Sequence, residues 1–195
     1  MNDDNSSRIV FLRGRKVVLR PVEERDIPKM QRWINDQESI RGTLQFLPVS
    51  ETGEREWLER IRKDPHAILL AIETHEGRHI GNIGLFSISW RDGTAHTGIL
   101  IGEKDCRGKG YAKDAKMILL SYAFLTLNLR KICSSSLEFN AASLHYNLKC
   151  GYKEEGRRRQ QFYRDGRYWD EIKIAVFRED WLPLWERYQA DPAGS

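Results

Sequence analysis

One junction constrains this chain more than any other. In the stretch "ILIGEKDCRGKGYAKDA", Ile99 to Ala115, an apolar run ends in a charged turn holding two glycines, and a helical pattern starts at once. A strand, a glycine turn and a helix in that order aim free backbone N–H groups and the positive end of a helix dipole at one point. Glycine permits positive φ and close approach, so Gly108 and Gly110 let successive amides converge, while Arg107 and Lys109 add charge. The guest that suits such a turn is a phosphate or pyrophosphate.

Spacing narrows the guest. A nucleoside-triphosphate loop needs four residues between its first glycine and a Gly-Lys-Ser/Thr; here five separate Gly102 from Gly108, and Lys109 is followed by Gly110. A dinucleotide fingerprint needs a third glycine where Lys113 stands, on a strand that opens a parallel βαβ unit. Neither pattern fits.

The rest of the chain supplies the frame. "KVVLRPV" (16–22) reads as a first strand, and "ERDIPKMQRWIND" spaces Ile27, Met30, Trp33 and Ile34 along one helical face with Asp26 as its N-cap. A second helix is expected over about Glu51 to Arg62. Three Ile/Leu-rich runs, 67–73, 79–89 and 94–102, are bounded by turn residues and read as consecutive antiparallel strands. A helix over 112–127, a strand "KICSSSL" and a short helix closing on Gly151 come next. Two strands joined by the Asp-Gly turn of "RDGR", then a last apolar-faced segment, end the chain. The order β-α-α-β-β-β-α-β-α-β-β predicts a mixed α/β sheet with helices on both faces.

No linker or repeat interrupts the 195 residues, so one domain is expected over 1–195, with its core at about 17–181 and disorder confined to 1–8 and 190–195. The balance of 40% apolar to 31% charged residues suits a folded soluble chain, and no apolar run approaches the roughly 20 residues of a membrane span. The polar start "MNDDNSSR" lacks the apolar core of a secretory signal. Three cysteines, Cys106, Cys133 and Cys150, lack paired zinc spacing and fit reduced thiols in the cytoplasm, with no metal expected. The net charge of +4 is spread along the chain apart from Arg157–Arg159, a mild preference for anions and no nucleic-acid footprint.

A third spacing does match. "RGKGYA", Arg107 to Ala112, has the R/Q-x-x-G-x-G/A form of the GNAT superfamily of acyl-CoA N-acyltransferases, after the fourth expected strand and at the head of a long helix. "FLTLNLRKI", "NAASLHYNLKCGYKEEGR" and the "DGRYWDE" hairpin extend the likeness, so the chain resembles the RimJ/RimL branch and its polyamine acetyltransferase relatives over about Val17 to Trp181. The resemblance implies the GNAT fold, a mixed, mostly antiparallel twisted sheet of about seven strands with helices on both faces, and acetyl-CoA as cosubstrate. It assigns the CoA pyrophosphate to the amides of Arg107, Gly108, Lys109, Gly110, Tyr111 and Ala112. The strand backbone near Leu100 and Ile101 would pair with the pantetheine arm, and Asn140 would bond the same arm or simply cap its helix.

Moving an acetyl group from a thioester to an amine requires a neutral amine, a donor for the developing oxyanion and a proton for the departing thiolate. Many relatives supply that proton from a Tyr four residues before the glycine of the Gly-Phe/Tyr pair. Counting back from Gly151 reaches Asn147, and a one-residue offset rotates Tyr146 by about 100° away from that direction. Asn140 with Ser143 matches the N-x-x-S of the RimL type, which makes Ser143 a candidate thiolate partner or a plain first-turn helix serine, and Tyr146 a candidate proton donor or a packed helix aromatic. His96 stands where relatives carry a strand Glu and is the candidate base or a structural strand histidine; Asp170, in the hairpin, is a candidate to orient or help deprotonate the amine, or a plain strand-pairing charge. Cys106 is read as an incidental thiol.

The amine side is expected between the first two helices, where Trp33, Phe46 and Trp57 are candidate walls, while helical spacing equally makes Trp33 and Trp57 ordinary core residues. Glu51, Glu54 and Glu56 either attract a cation or serve the negative first turn of a helix. The function implied is direct acetyl transfer to a primary amine, either a protein N-terminus or a small amine such as a polyamine or amino sugar. The rival is a CoA-binding sensor without turnover, motivated by Asn147 and His96 at the family Tyr and Glu places. A homo-oligomer is compatible with this reading.

Overall fold

The changes of hydrophobic period along the chain become a single twisted sheet. The computed structural model describes residues 9–190. Its strands are β1 (Leu12–Arg13), β2 (Val17–Pro21), β3 (Ile68–Thr74), β4 (His79–Ser89), β5 (Thr94–Ile101), β6 (Lys131–Leu137), β7 (Lys153–Arg164) and β8 (Arg167–Phe177), in the order β1-β2-β3-β4-β5-β6-β8-β7. The sheet has eight strands where about seven were expected, because a two-residue ladder, Leu12↔Leu19 and Arg13↔Val18, adds β1 at the edge. Each pairing is antiparallel except β5 with β6.

The helices are α1 (Ile27–Ile34), α2 (Gln37–Ile40), α3 (Glu51–Lys63), α4 (Tyr111–Ser121), α5 (Ala141–Lys149) and α6 (Arg178–Ala190). Alternation along the strands sends neighbouring side chains to opposite faces. In β3, Leu70 and Ile72 join a core with Ile118, Leu119, Phe124 and Trp181 of the α4 and α6 side. Ala71 joins the other core, with Met30 and Trp33 of α1 and Leu58 of α3. The sheet is therefore covered on both faces.

Several local expectations change. The helix expected over 112–127 is α4 followed by a π turn, Tyr122–Thr126. The loop after α1 contains α2, capped by Asp36, whose carboxylate accepts the Ser39 N–H at 2.9 Å. Asp26 stands at the α1 N-cap position, yet its side chain caps nothing in α1. It accepts two bonds from the buried Arg20 guanidinium, at 2.7 and 2.9 Å, and one from the Glu23 N–H. Arg20 also donates to Glu73 at 2.6 Å, so an arginine within an apolar strand is matched by two buried carboxylates. Burial alone would raise the Asp26 carboxyl, but the Arg20 bonds and His79 hold it well below the usual carboxylate range. The Asp-Gly hairpin forms as expected, with φ of 51° at Asp165 and 80° at Gly166. The disorder expected at 1–8 and 191–195 lies outside the described residues, while Ala190 ends α6.

Candidate active site

The site grows from a fork in the sheet. β5 and β6 pair in parallel only at Thr94↔Lys131, Ala95↔Ile132 and His96↔Cys133. Past that point β6 continues along β8 as far as Leu137↔Glu171, while β5 continues along β4 as far as Gly81↔Ile101. Ser134 Oγ donates to the Thr97 carbonyl at 3.1 Å just inside the opening. Backbone groups alternate sides along a strand, so parity decides which residues of β5 face the gap. The Gly102 N–H donates to Ile80 O at 2.9 Å, and the Leu100 carbonyl lies so close to Gly81 that a Cβ there would meet it at 2.1 Å. Even-numbered residues thus serve β4. The odd ones, Ile99 and Ile101, turn their N–H and C=O groups into the fork.

A cavity of about 610 Å³ runs from the fork to the glycine turn. Gly108 and Gly110 have φ of 73° and 84°, the left-handed geometry expected of them, and Gly110 is the N-cap of α4. The first helical bond there is Asp114 N–H to Gly110 O, so the amides of Tyr111, Ala112 and Lys113 lack helical acceptors and face an anion-binding position. Lys113, Lys149 and His145 line the same cavity, and Lys16 joins them by donating from Nζ to the Lys109 carbonyl at 3.0 Å. Arg107 is otherwise engaged. Its guanidinium donates to Ile101 O (3.1 Å), Ser39 Oγ (2.7 Å) and Glu38 (3.1 Å), and so clips α2 across the end of β5. Extended-strand amides in the fork, orphan amides at the helix start and flanking cations together fit an amide-bearing arm that ends in a pyrophosphate.

A second cavity, about 410 Å³, lies on the α1–α3 face and is lined by Met30, Trp33, Glu54, Trp57, Leu69, Asn82 and Phe86 together with His96 and Thr97. The two cavities share Gly42, Thr43, Ile99, Leu100, Ser143 and Tyr146. The fork is what permits this: through it, side chains of α5 on one face of the sheet reach a cavity on the other. Asn140 Oδ1 accepts the Ser143 N–H at 3.1 Å and so caps α5 while lining the first cavity. Ser143 and Tyr146, three residues apart, occupy one face of α5. Burial pushes the Tyr146 phenol well above its ordinary value, so it keeps its proton. Partial desolvation, then the Lys173 ammonium, lower His96, so its imidazole is neutral at pH 7.

Residues 16–153 match the family described as Acetyltransferase (GNAT) domain, well over half of the chain. The chain belongs to the GNAT acetyltransferases. This enzyme is therefore an N-acetyltransferase that uses acetyl-CoA as its acetyl donor. It is similar to the SPbeta prophage-derived N-acetyltransferase YokL of Bacillus subtilis, 28% identical over 174 residues, which cover 88% of this chain and 96% of that protein. It is 30% identical over 161 residues to the alpha/beta-tubulin-N-acetyltransferase 9 of Homo sapiens, covering 74% of this chain and 75% of that one. In fold it is similar to the spermidine N-acetyltransferase of Vibrio cholerae, solved with CoA and spermine, with a TM-score of 0.79 over 85% of this chain and 98% of that one at 24% identity.

Against the expected site of this GNAT enzyme, several corrections stand out. The Leu100 backbone serves the β4 ladder, so parity gives the fork to Ile99 and Ile101; Leu100 lines the cavities without that pairing role. Asp170 lines neither cavity: its carboxylate accepts the Gln160 N–H at 2.8 Å and holds a bulge where Gln160 has φ 50°. Asn147, at the family Tyr place, is buried to 1% and donates from Nδ2 to the Ser143 carbonyl, so it faces away from the cavities that Tyr146 lines. Lys109 contributes its carbonyl to Lys16 and is absent from the cavity wall. Phe46, 70% exposed, is no wall. Lys16, Lys113 and Lys149 escaped the sequence reading, although Lys113 and Lys149 follow by helical spacing from Gly110 and Tyr146. No group of three or more His, Cys, Asp or Glu among the described residues has metal-holding geometry, and no described helix is long and apolar enough to cross a membrane.

Proposed function

We propose that the acceptor of this N-acetyltransferase is the primary amine of a small molecule and that transfer is direct, within one ternary complex. The observation that carries the reading is the junction of the two cavities at Ser143 and Tyr146, with a cavity of about 410 Å³ on the acceptor side, within the size range of small-ligand pockets. The loop at Gly42, Thr43 and Leu44 walls that cavity. It is tied to the β7–β8 hairpin by Arg164 donating to Thr43 O at 3.1 Å and by the Arg41–Asp165 pair at 2.6 Å. The relatives act on different acceptors, tubulin in one case and spermidine in the other, so the cavity carries the choice.

In this reading the thioester supplies an activated acetyl carbon, and the chain's own groups handle protons and orientation. The Ile99 N–H, turned into the fork, donates to the carbonyl oxygen as charge grows there. His96 takes the proton that the nitrogen sheds as its C–N bond forms. Tyr146 gives its phenolic proton to the sulfur as the C–S bond breaks, with Ser143 beside it as hydrogen-bond donor. The products are an amide and the free CoA thiol, and solvent returns His96 and Tyr146 to their starting states. The test is a thiol-release assay with acetyl-CoA and a panel of alkylamines, diamines, amino sugars and short peptides. Turnover is expected with small amines; turnover with peptides alone would overturn the proposal.

A further inference from the structure

Five carboxylates are buried among the described residues: Asp26, Glu54, Glu73, Asp114 and Glu171. Four of them are answered. Asp26 and Glu73 bind Arg20. Asp114 accepts the N–H groups of Arg15, Lys16 and Val17 and the Tyr188 hydroxyl. Glu171 accepts from Lys173 at 2.8 Å. Glu54 is the exception: 6% exposed, it has no hydrogen bond or ion pair to its carboxylate among the described residues. An unpaired buried carboxylate is costly, and here burial alone raises its pKa.

Its position says what would answer it. Ser50 caps α3, and Glu51 and Glu54 both fall in the first turn. Glu51 stays exposed and pairs with Arg55, whereas Glu54 turns inward to the wall of the acceptor cavity beside Met30 and Trp57. The other ionisable groups on that wall are His96 and Tyr146, neither of them a cation at pH 7. A carboxylate on a cavity wall that also carries Trp33 and Trp57 suits an ammonium, which its charge attracts. The nitrogen that reacts must be neutral and must reach Tyr146, so the ammonium held at Glu54 is a different one.

We infer that Glu54 is the specificity-determining residue of the acceptor cavity, and that the acceptor carries a second, cationic nitrogen held by Glu54 while its first amine reacts at Tyr146. This rests on the small-amine reading above and names the substrate class within it: a linear diamine or longer polyamine.

The test compares an α,ω-diamine with the monoamine of equal chain length, in wild type and Glu54→Gln, by thiol release. Wild type should prefer the diamine by about tenfold or more in kcat/KM, through KM, which is the scale of one desolvated ion pair. In Glu54→Gln that ratio should fall to near unity. A wild type without the preference, or a Glu54→Gln enzyme that keeps it, overturns the inference. Calorimetric binding of the diamine to the CoA-loaded protein reads the same anchor without turnover: binding lost in Glu54→Gln supports it, and equal binding in both proteins overturns it. Failure of every small amine to release thiol, with the calorimetric difference intact, would fault the catalytic reading and leave the anchor standing. Glu54→Gln removes an unpaired charge, so thermal melting should show a fold at least as stable as wild type; Glu54→Leu serves as the second variant.

Discussion

Lys116 offers the sharpest test of the energetics behind the site. Its side chain is 0% exposed, and no carboxylate accepts from it among the described residues. Nζ donates to Thr97 Oγ1 at 2.5 Å and lies 5.1 Å and 5.7 Å from the ring centroids of Tyr152 and Tyr146. Burial pushes its pKa down from 10.5 to about 8. At 1.36 kcal/mol per unit, the folded state is penalised by roughly 3 kcal/mol wherever both states carry the proton, that is below about pH 8. The penalty is relieved as pH rises from about 8 to 10.5, because the folded chain deprotonates first. Lys116→Met removes the charge at similar volume. Thr97 Oγ1 and the Tyr152 hydroxyl, 3.1 Å apart, keep each other, so no orphan polar group is left. Allowing about 1 to 2 kcal/mol for the lost hydrogen bond and imperfect packing, Lys116→Met should be more stable at pH 7 by about 1 to 2 kcal/mol. For a chain of this size that is a rise of about 2 to 8 °C in Tm by calorimetry. The gain should shrink at pH 10. A destabilised variant at pH 7, or a gain that does not change between pH 7 and 10, refutes the reasoning.

Replacing Gly110 by Val forces a β-branched residue to a φ of 84°, with a Cβ 3.3 Å from Lys16 Nζ. Acetyl-CoA affinity by calorimetry should weaken about tenfold or more, and unchanged affinity would remove the pyrophosphate from this turn. Tyr146→Phe should lower kcat about 100-fold with acetyl-CoA affinity nearly intact, the scale of a lost general acid; a smaller loss of kcat than of affinity would argue for a packing role. His96, held below 6.5, must be neutral to accept a proton, as must the amine. Log kcat/KM should therefore rise with slope 1 near neutral pH and steepen to 2 below the His96 pKa, and His96→Gln should keep slope 1 throughout; an unaltered profile in that variant excludes His96 as the base.

The strands, the Asp-Gly hairpin and the glycine turn were legible because each is written in local spacing. β1 was not, since a two-residue ladder has no period to detect. Arg20 and Lys116 were not, because a charge in an amphipathic pattern reads as solvated until a partner strand or helix closes over it. Glu54 shows the same limit from the other side. Its sequence position fits the negative first turn of a helix as well as Glu51 does, and only the packing of α3 on the sheet separates the exposed member of the pair from the buried one.

The α5 register shows how a motif count and a cavity wall can select different residues. Counting back from Gly151 selects Asn147, but Gly151 has φ 91° and belongs to the turn that ends the helix, where Cys150 N–H donates to both Tyr146 O and Asn147 O and Tyr152 N–H returns to Asn147 O. A count that crosses a helix end measures the cap as much as the helix. Counting forward from the N-cap stays inside regular geometry: Asn140 fixes Ser143, and three residues on the same face is Tyr146. Asn147 then turns about 100° away into the buried side, where its bond to Ser143 O holds α5 at the junction face. On this argument Asn147→Ala should disturb the placement of Ser143 and Tyr146 together, lowering both Tm and kcat. By contrast, Asn147→Tyr, which restores the family residue at the counted position, should fail to rescue Tyr146→Phe. Rescue by that second tyrosine would show that the backward count identifies the proton donor after all.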